Sequence, residues 1–273
     1  ADSRQVFRGL DIGSAKPSRA EQAAAPHHLI DVVDPDEPFD AAEFHRLALR
    51  AIDAISARGR RVLVVGGTGL YVKVLRGGLF AGPKRDPALR ARLEAEEDAD
   101  PGILYQRLRG LDPEAAARIH RNDRVRLVRA LEVQTLTGRP ISELQREHAF
   151  ARGAVDMKTI GLEIPRAEIY RRIDARCAEM IAAGLVDEVQ RLFAAGYSAD
   201  LSALSSLGYR EIGAFVRGLC SLEQAQADMA RATRQFAKRQ LTWFRNDPDV
   251  EWLPPDAAEV SAAAATWWGA GRG

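Results

Sequence analysis

Residues 61–65 (RVLVV) run without a break into Gly66-Gly67-Thr68-Gly69, and from there into an apolar-periodic segment. β-Branched residues, then glycines, then helical spacing make half of a parallel α/β unit. Three other segments fit the same class. Residues 28–33 (HLIDVV), stopped by Asp-Pro-Asp-Glu-Pro, read as a buried strand. Residues 159–164 (TIGLEI) read as a third strand, and residues 250–253 as a short edge strand before Pro254-Pro255. Between the first two, residues 41–58 carry Phe44, Leu47, Ala51, Ile52 and Ile55 at helical spacing and stop at Gly59. The expected class is α/β, a parallel sheet flanked by helices.

From about Phe80 to Asp156 strand signals vanish. Helical patterns succeed one another over 86–97, 102–109, 113–119, 123–137 and 141–147, with Asn122 as an N-cap and Gly138 and Pro140 as a stop. This reads as an all-helical insertion, residues 81–156, within a core formed by 1–80 and 157–273. The Ala-rich tail after Ala257, with Trp267-Trp268, reads as a docking helix or a frayed end.

Composition narrows the function. Apolar residues at 46% and charged residues at 28% exclude wholesale disorder. No apolar run approaches the ~18 residues of a spanning helix, and no basic-then-apolar leader is present. The 39 Lys and Arg against 38 Asp and Glu give a net charge of +1, so a nucleic-acid partner would have to be met by local clusters. Cys177 and Cys220 match no metal or redox spacing, nor do the five histidines. A reduced cytosolic enzyme fits. The chain opens at Ala1 without an initiator Met, so an N-terminal portion is expected to precede it.

Five features carry possible chemistry. On the helix over 166–182, Ile169, Ile173, Cys177 and Met180 form an apolar stripe with Arg176 on its edge, so that Arg176 is expected to point inward. Such a guanidinium either pairs with a core carboxylate, snorkels its head to solvent, or binds a phosphate or diphosphate. On the helix over 229–245, Arg231, Arg234, Lys238 and Arg245 share one side, with no acid between Met229 and Arg245. That stripe is either a solvated face or a phosphate-backbone grip. Arg126 and Arg129, i,i+3 neighbours, repeat the theme more weakly. Gly66-Gly67-Thr68-Gly69 fits a tight βα turn or close approach to a ligand, and it lacks the Gly-Lys-Ser/Thr of a phosphate loop. Asp2, by position alone, is a carboxylate in a loose tail.

Ordered strings then reach beyond pattern. Asp2-Ser3-Arg4-Gln5-Val6-Phe7-Arg8-Gly9-Leu10-Asp11-Ile12-Gly13-Ser14-Ala15-Lys16-Pro17 is followed by Pro26-His27-His28-Leu29-Ile30-Asp31 and Gly66-Gly67-Thr68-Gly69-Leu70-Tyr71. Then come Arg126-Leu127-Val128-Arg129-Ala130-Leu131-Glu132-Val133, Leu207-Gly208-Tyr209-Arg210-Glu211 and residues 233–244 (TRQFAKRQLTWF). In order and spacing the chain resembles the bacterial tRNA dimethylallyltransferases from Asp2 to about Trp252. The resemblance implies a P-loop-type α/β core with a helical insertion that grips the anticodon stem. It implies transfer of a dimethylallyl group from dimethylallyl diphosphate to N6 of adenosine 37 in tRNAs reading codons that begin with U, assisted by Mg²⁺, in the cytoplasm and by a monomer.

The same resemblance assigns roles. Asp2 becomes the general base and Arg176 the diphosphate clamp. Asp2, Ser3, Arg4, Gln5, Gly67, Thr68, Arg90, Val125, Arg126, Leu127, Val128, Arg129, Ser205, Ser206, Leu207, Gly208, Tyr209 and Arg210 touch the RNA, with Arg234 and Lys238 on its backbone. Family members also carry a strand and a phosphate loop before the Asp-Ser motif, which would supply the Mg²⁺ ligand. Neither is in this chain, which on its own is expected to bind diphosphate poorly. Competing readings are an isopentenyltransferase acting on free adenine nucleotide, an inactive RNA-binding module, and a phosphate-loop small-molecule kinase.

Overall fold

The computed structural model describes residues 1–79, 82–148 and 155–270. The chain separates into two compact units, Ala1–Lys73 with Asp156–Gly273, and Val74–Val155. The first residue expected of the insertion, 81, lies outside the described residues.

The second unit is all helix. It contains α4 (Pro87–Ala99), α5 (Ile103–Leu111), α6 (Pro113–Arg118), α7 (Arg124–Thr137) and α8 (Ile141–His148), close to the five segments the spacing predicts. They follow α1 (Arg19–Ala24), α2 (Ala41–Ser56) and α3 (Gly69–Gly77) in the chain. Leu89, Leu93, Leu104, Leu108, Leu127, Leu131 and Val133 interlock in its core. Asp112 ties α6 to α8: one carboxylate oxygen accepts from Ala115 N at 2.9 Å, capping α6, and the other from Ser142 N at 2.9 Å, anchoring α8. The N-cap of α7 is Asp123, accepting from Arg126 N, and not Asn122. The carboxylate one residue later reaches the first-turn N–H groups. Gly138 ends α7 in the left-handed region at φ +71°, as expected.

The first unit holds β1 (Thr159–Leu162) and β2 (Val250–Leu253), paired in parallel with Thr159 opposite Val250 and Gly161 opposite Trp252. Around them lie α9 (Arg166–Ala182), α10 (Leu185–Ala194), α11 (Tyr209–Val216), α12 (Leu222–Arg245) and α13 (Ala257–Ala270), the last on the Ala-rich tail. Val6, Leu10, Leu185, Val189, Leu204, Tyr209, Ile212 and Met229 form the core.

Two expected strands do not form. In 28–33, Leu29 and Asp31 adopt positive φ (63° and 55°), which breaks an extended run, and a single bridge joins Val33 to Phe7. The segment instead wraps the 5–7 backbone, with Asp31 N donating to Gln5 O at 3.2 Å and Val32 N to Val6 O at 2.8 Å. Residues 61–65 carry no ladder among the described residues, and Leu63 and Val65 are exposed. Among the described residues no helix is long and apolar enough to cross a membrane.

Candidate active site

The Gly66–Gly69 turn lies against the first residues of the chain. Ala1 N donates to Val65 O at 2.7 Å, Thr68 N to Ala1 O at 3.3 Å, and Ser3 N to Thr68 Oγ1 at 3.2 Å. Gly66 makes this approach possible: its φ is +155°, and a Cβ there would stand 2.2 Å from the Ala1 carbonyl oxygen. Asp2 is therefore no loose tail residue. It sits between two backbone groups held by Thr68.

The Asp2 carboxylate is used asymmetrically. Oδ1 accepts from Arg4 N at 2.7 Å and Gln5 N at 3.2 Å, an Asx-type turn. Oδ2 takes no hydrogen bond from any described residue. Arg4 lies beside it and donates Nη1 to Ser202 O at 2.7 Å. Burial depresses the Arg4 pKa, while Tyr71 and Asp2 act in the opposite sense. Tyr71, on α3, is 4% exposed and stacks on Phe44 at 3.9 Å between ring centres. Burial pushes its hydroxyl up to about 12, against the pull of Arg4.

The support beneath Asp2 runs through Gln5, whose Nε2 donates to Ser14 O at 3.2 Å and Ala15 O at 3.0 Å. That loop is held in turn by Glu188, a buried acid on α10. Glu188 accepts from Ile12 N at 2.8 Å, Gly13 N at 3.2 Å and the Tyr209 hydroxyl at 2.6 Å. Burial, then the neighbouring Glu188 charge, raises the Tyr209 pKa. Lys16 closes the loop from below, donating to Phe7 O at 2.9 Å and pairing with Asp11 at 2.6 Å and Asp31 at 2.5 Å.

A buried acid also organises the helical unit. Glu132 is fully buried and receives Arg90 Nε at 2.8 Å, Arg129 Nη1 at 2.6 Å and Asp86 N at 2.9 Å. Arg129 also donates to Pro83 O at 3.0 Å. Burial alone would raise the Glu132 pKa; hydrogen bonds from Arg90 and Arg129 overcome it and hold the carboxyl below its usual range.

With this geometry in hand, comparison with known proteins is decisive. The sequence profile described as IPP transferase matches residues 5–247. The chain belongs to the IPP transferase family. It is 49% identical to a tRNA dimethylallyltransferase of Geobacter sulfurreducens over 98% of this chain and 88% of the relative. It is 51% identical to tRNA dimethylallyltransferase 1 of Citrifermentans bemidjiense, over 93% and 82%. Among solved structures it resembles the full-length tRNA isopentenylpyrophosphate transferase of Bacillus halodurans (TM-score 0.69, 38% identity, 98% of this chain and 86% of that one). It also resembles a eukaryotic dimethylallyltransferase described as acting on tRNA (TM-score 0.83, 25% identity, 100% and 73%). The fold is the expected α/β class of this family, despite the two unformed strands.

Within this IPP transferase the other expected site residues divide by exposure. Of the α7 group, Val125 and Arg126 are exposed, Arg126 pairing with Asp123 at 3.3 Å, whereas Leu127 and Val128 are core residues with no surface to offer a ligand. Arg90 and Arg129 share Glu132. Of residues 205–210, Ser205 and Arg210 are exposed and Leu207 half-buried, whereas Ser206, Gly208 and Tyr209 are buried; Arg210 pairs with Glu211, which also accepts Gly208 N at 2.9 Å.

Two expectations are corrected. Arg176 does not point inward; it is exposed and no carboxylate or carbonyl reaches it among the described residues. Ile181 joins Ile173 and Met180 against the core, so the buried stripe centres on Cys177 and leaves Arg176 about 100° around the helix. The α12 stripe is not uncompensated. Arg234 pairs with Asp174 of α9, Arg231 with Asp228 at 2.6 Å, and Arg245 approaches Glu163 at 3.8 Å. Lys238 of that group has no acidic partner among the described residues. It lines a recess with Arg166, Tyr170 and Leu241.

Sequence reasoning missed Glu188 and Glu132. Glu188 sits on the apolar stripe Leu185-Val189-Leu192, an acid at a core position, and Glu132 lies between Leu131 and Val133. Each carries the same signal: a carboxylate where helical spacing calls for a hydrophobe.

Proposed function

We propose that this protein transfers a dimethylallyl group from dimethylallyl diphosphate to N6 of adenosine 37 in the anticodon loop of tRNAs reading codons that begin with U, releasing diphosphate. The observation that carries the reading is the Asp2 carboxylate, with Oδ1 locked by Arg4 N and Gln5 N and Oδ2 left open. Relatives near half identity bearing this activity in their names support it. The tRNA substrate makes the cytoplasm its place of work.

The exocyclic amine of adenine is a poor nucleophile because its lone pair is delocalised into the ring. The N6–C1 bond forms as the C1–O bond to diphosphate breaks, and the N6 proton passes to Asp2 Oδ2. An oxygen whose partner atom is already fixed by two backbone donors needs no reorientation as it takes that proton. The exposed Arg176 suits the leaving diphosphate, since among the described residues its guanidinium has no carboxylate to surrender. Among the described residues no three His, Cys, Asp or Glu side chains converge to hold Mg²⁺.

Extruding adenosine 37 from its stack costs a few kcal/mol, to be met by contacts elsewhere on the RNA. Val125 and Arg126 at the exposed start of α7 are suited to the anticodon stem, as are Arg90 and Arg129, whose two charges over the single Glu132 leave one positive charge in excess, and Lys238 is suited to the backbone. The test is prenyl transfer by the full-length protein to an anticodon stem-loop against transfer to AMP. The stem-loop is modified and AMP is not. Asp2→Asn lowers kcat by about 10²–10⁴ with stem-loop affinity retained. Arg176→Ala lowers it by about 10²–10³. Preference for AMP, or full activity of Asp2→Asn, overturns the reading.

A further inference from the structure

Helix α12 reaches the Gly66–Gly69 turn with two side chains that none of the roles above employs. Gln240 Nε2 donates to Gly67 O at 2.9 Å, and a Cβ on Gly67 would stand 2.1 Å from that nitrogen. Trp243, three residues on and hence on the same side of the helix, lies so close to Gly69 that a Cβ there would stand 2.2 Å from its indole nitrogen. Two bare glycines thus let α12 seat directly on the turn.

Between those glycines is Thr68. Its N–H donates to the carbonyl before Asp2 and its hydroxyl accepts from the N–H after it. Any shift of Gly67 is passed to Thr68 and, through both flanking peptide groups, to Asp2. One and two residues back along α12, Arg239 and Lys238 face solvent. One rigid helix therefore carries surface cations and, on another side, the amide that holds the turn.

We infer that Gln240 is a positioning residue for Asp2, acting through the Gly67 carbonyl and Thr68, with Trp243 as the wall that keeps the turn from sliding. The inference rests on Asp2 as the proton acceptor. Reaction geometry is steep in distance: a misplacement of about 1 Å costs on the order of 10²-fold in rate. A hydrogen bond that fixes the turn beside Asp2 therefore acts on turnover more than on RNA affinity.

The experiment compares the full-length protein with Gln240→Glu, which keeps the shape but turns an acceptor on the Gly67 carbonyl, and with Gln240→Leu, which removes the donor without adding charge. For each, kcat and KM are measured on an anticodon stem-loop, together with the melting temperature and hydrogen exchange at the Thr68 amide. Both variants are expected to lose about 10- to 100-fold in kcat, to keep KM within about twofold, to melt near the wild-type temperature, and to exchange Thr68 faster. A raised KM with kcat unchanged makes Gln240 an RNA contact and overturns the inference. Unchanged Thr68 exchange with a fallen kcat, or no change in kcat at all, overturns it as well. A wild-type protein that transfers nothing to the stem-loop sinks the proposed function and this role together, whereas normal wild-type transfer with either result above sinks this role alone.

Discussion

Tyr71 shows how a single side chain responds to its surroundings. It is enclosed by Phe44 and Phe39, and burial raises its hydroxyl from 10.0 to about 12. A phenol whose folded value lies above its unfolded one contributes stability that is full below pH 10 and lost as pH climbs toward 12. Thermal melting across that range is expected to fall in the wild type and to flatten in Tyr71→Phe; identical slopes would place the hydroxyl in water. The residue's role was hidden in the sequence because a tyrosine after Gly69-Leu70 reads as any helix position. Asp2 was hidden for a related reason. Nothing local distinguishes a carboxylate in a tail from one bracketed by a threonine more than sixty residues away.

At the scale of elements, helices were more legible than strands, of which 159–162 and 250–253 form as expected and two others do not. Helices α4 to α8 are written in nearest-neighbour spacing and in caps such as Asp86 and Asp112, which act within a few residues. A strand exists through its neighbour. Residues 159–162 found one in 250–253, whereas 28–33 bridge 5–7 at one point only and 61–65 carry no ladder among the described residues. The buried acid of α7 carries a prediction at this scale. Glu132→Ala leaves Arg90 and Arg129 facing an uncompensated pocket and is expected to cost on the order of 3 kcal/mol in denaturant unfolding. Because its folded pKa is depressed, the contribution of Glu132 is full above 4.5 and lost as pH falls through the folded value. Acid titration of the melting temperature should show that loss in the wild type and not in Glu132→Gln.

For the whole molecule, the net charge of +1 means that any hold on a polyanion comes from which cations are free. Helical-wheel reasoning counted four on α12, but it saw one helix at a time, and Asp174 and Glu163 arrive from elsewhere in the chain. Lys238→Ala is therefore expected to reduce the slope of log affinity against log salt by about one unit. Arg234→Ala should leave that slope nearly unchanged, since Asp174 already offsets its charge. Equal reductions would mean that the Asp174 pair opens when RNA binds. Glu132 extends the same logic to the helical unit. An arginine with a carboxylate waiting behind it has somewhere to return when a phosphate departs. An enzyme that must visit many tRNAs in turn gains more from such a ready release than from a tighter embrace.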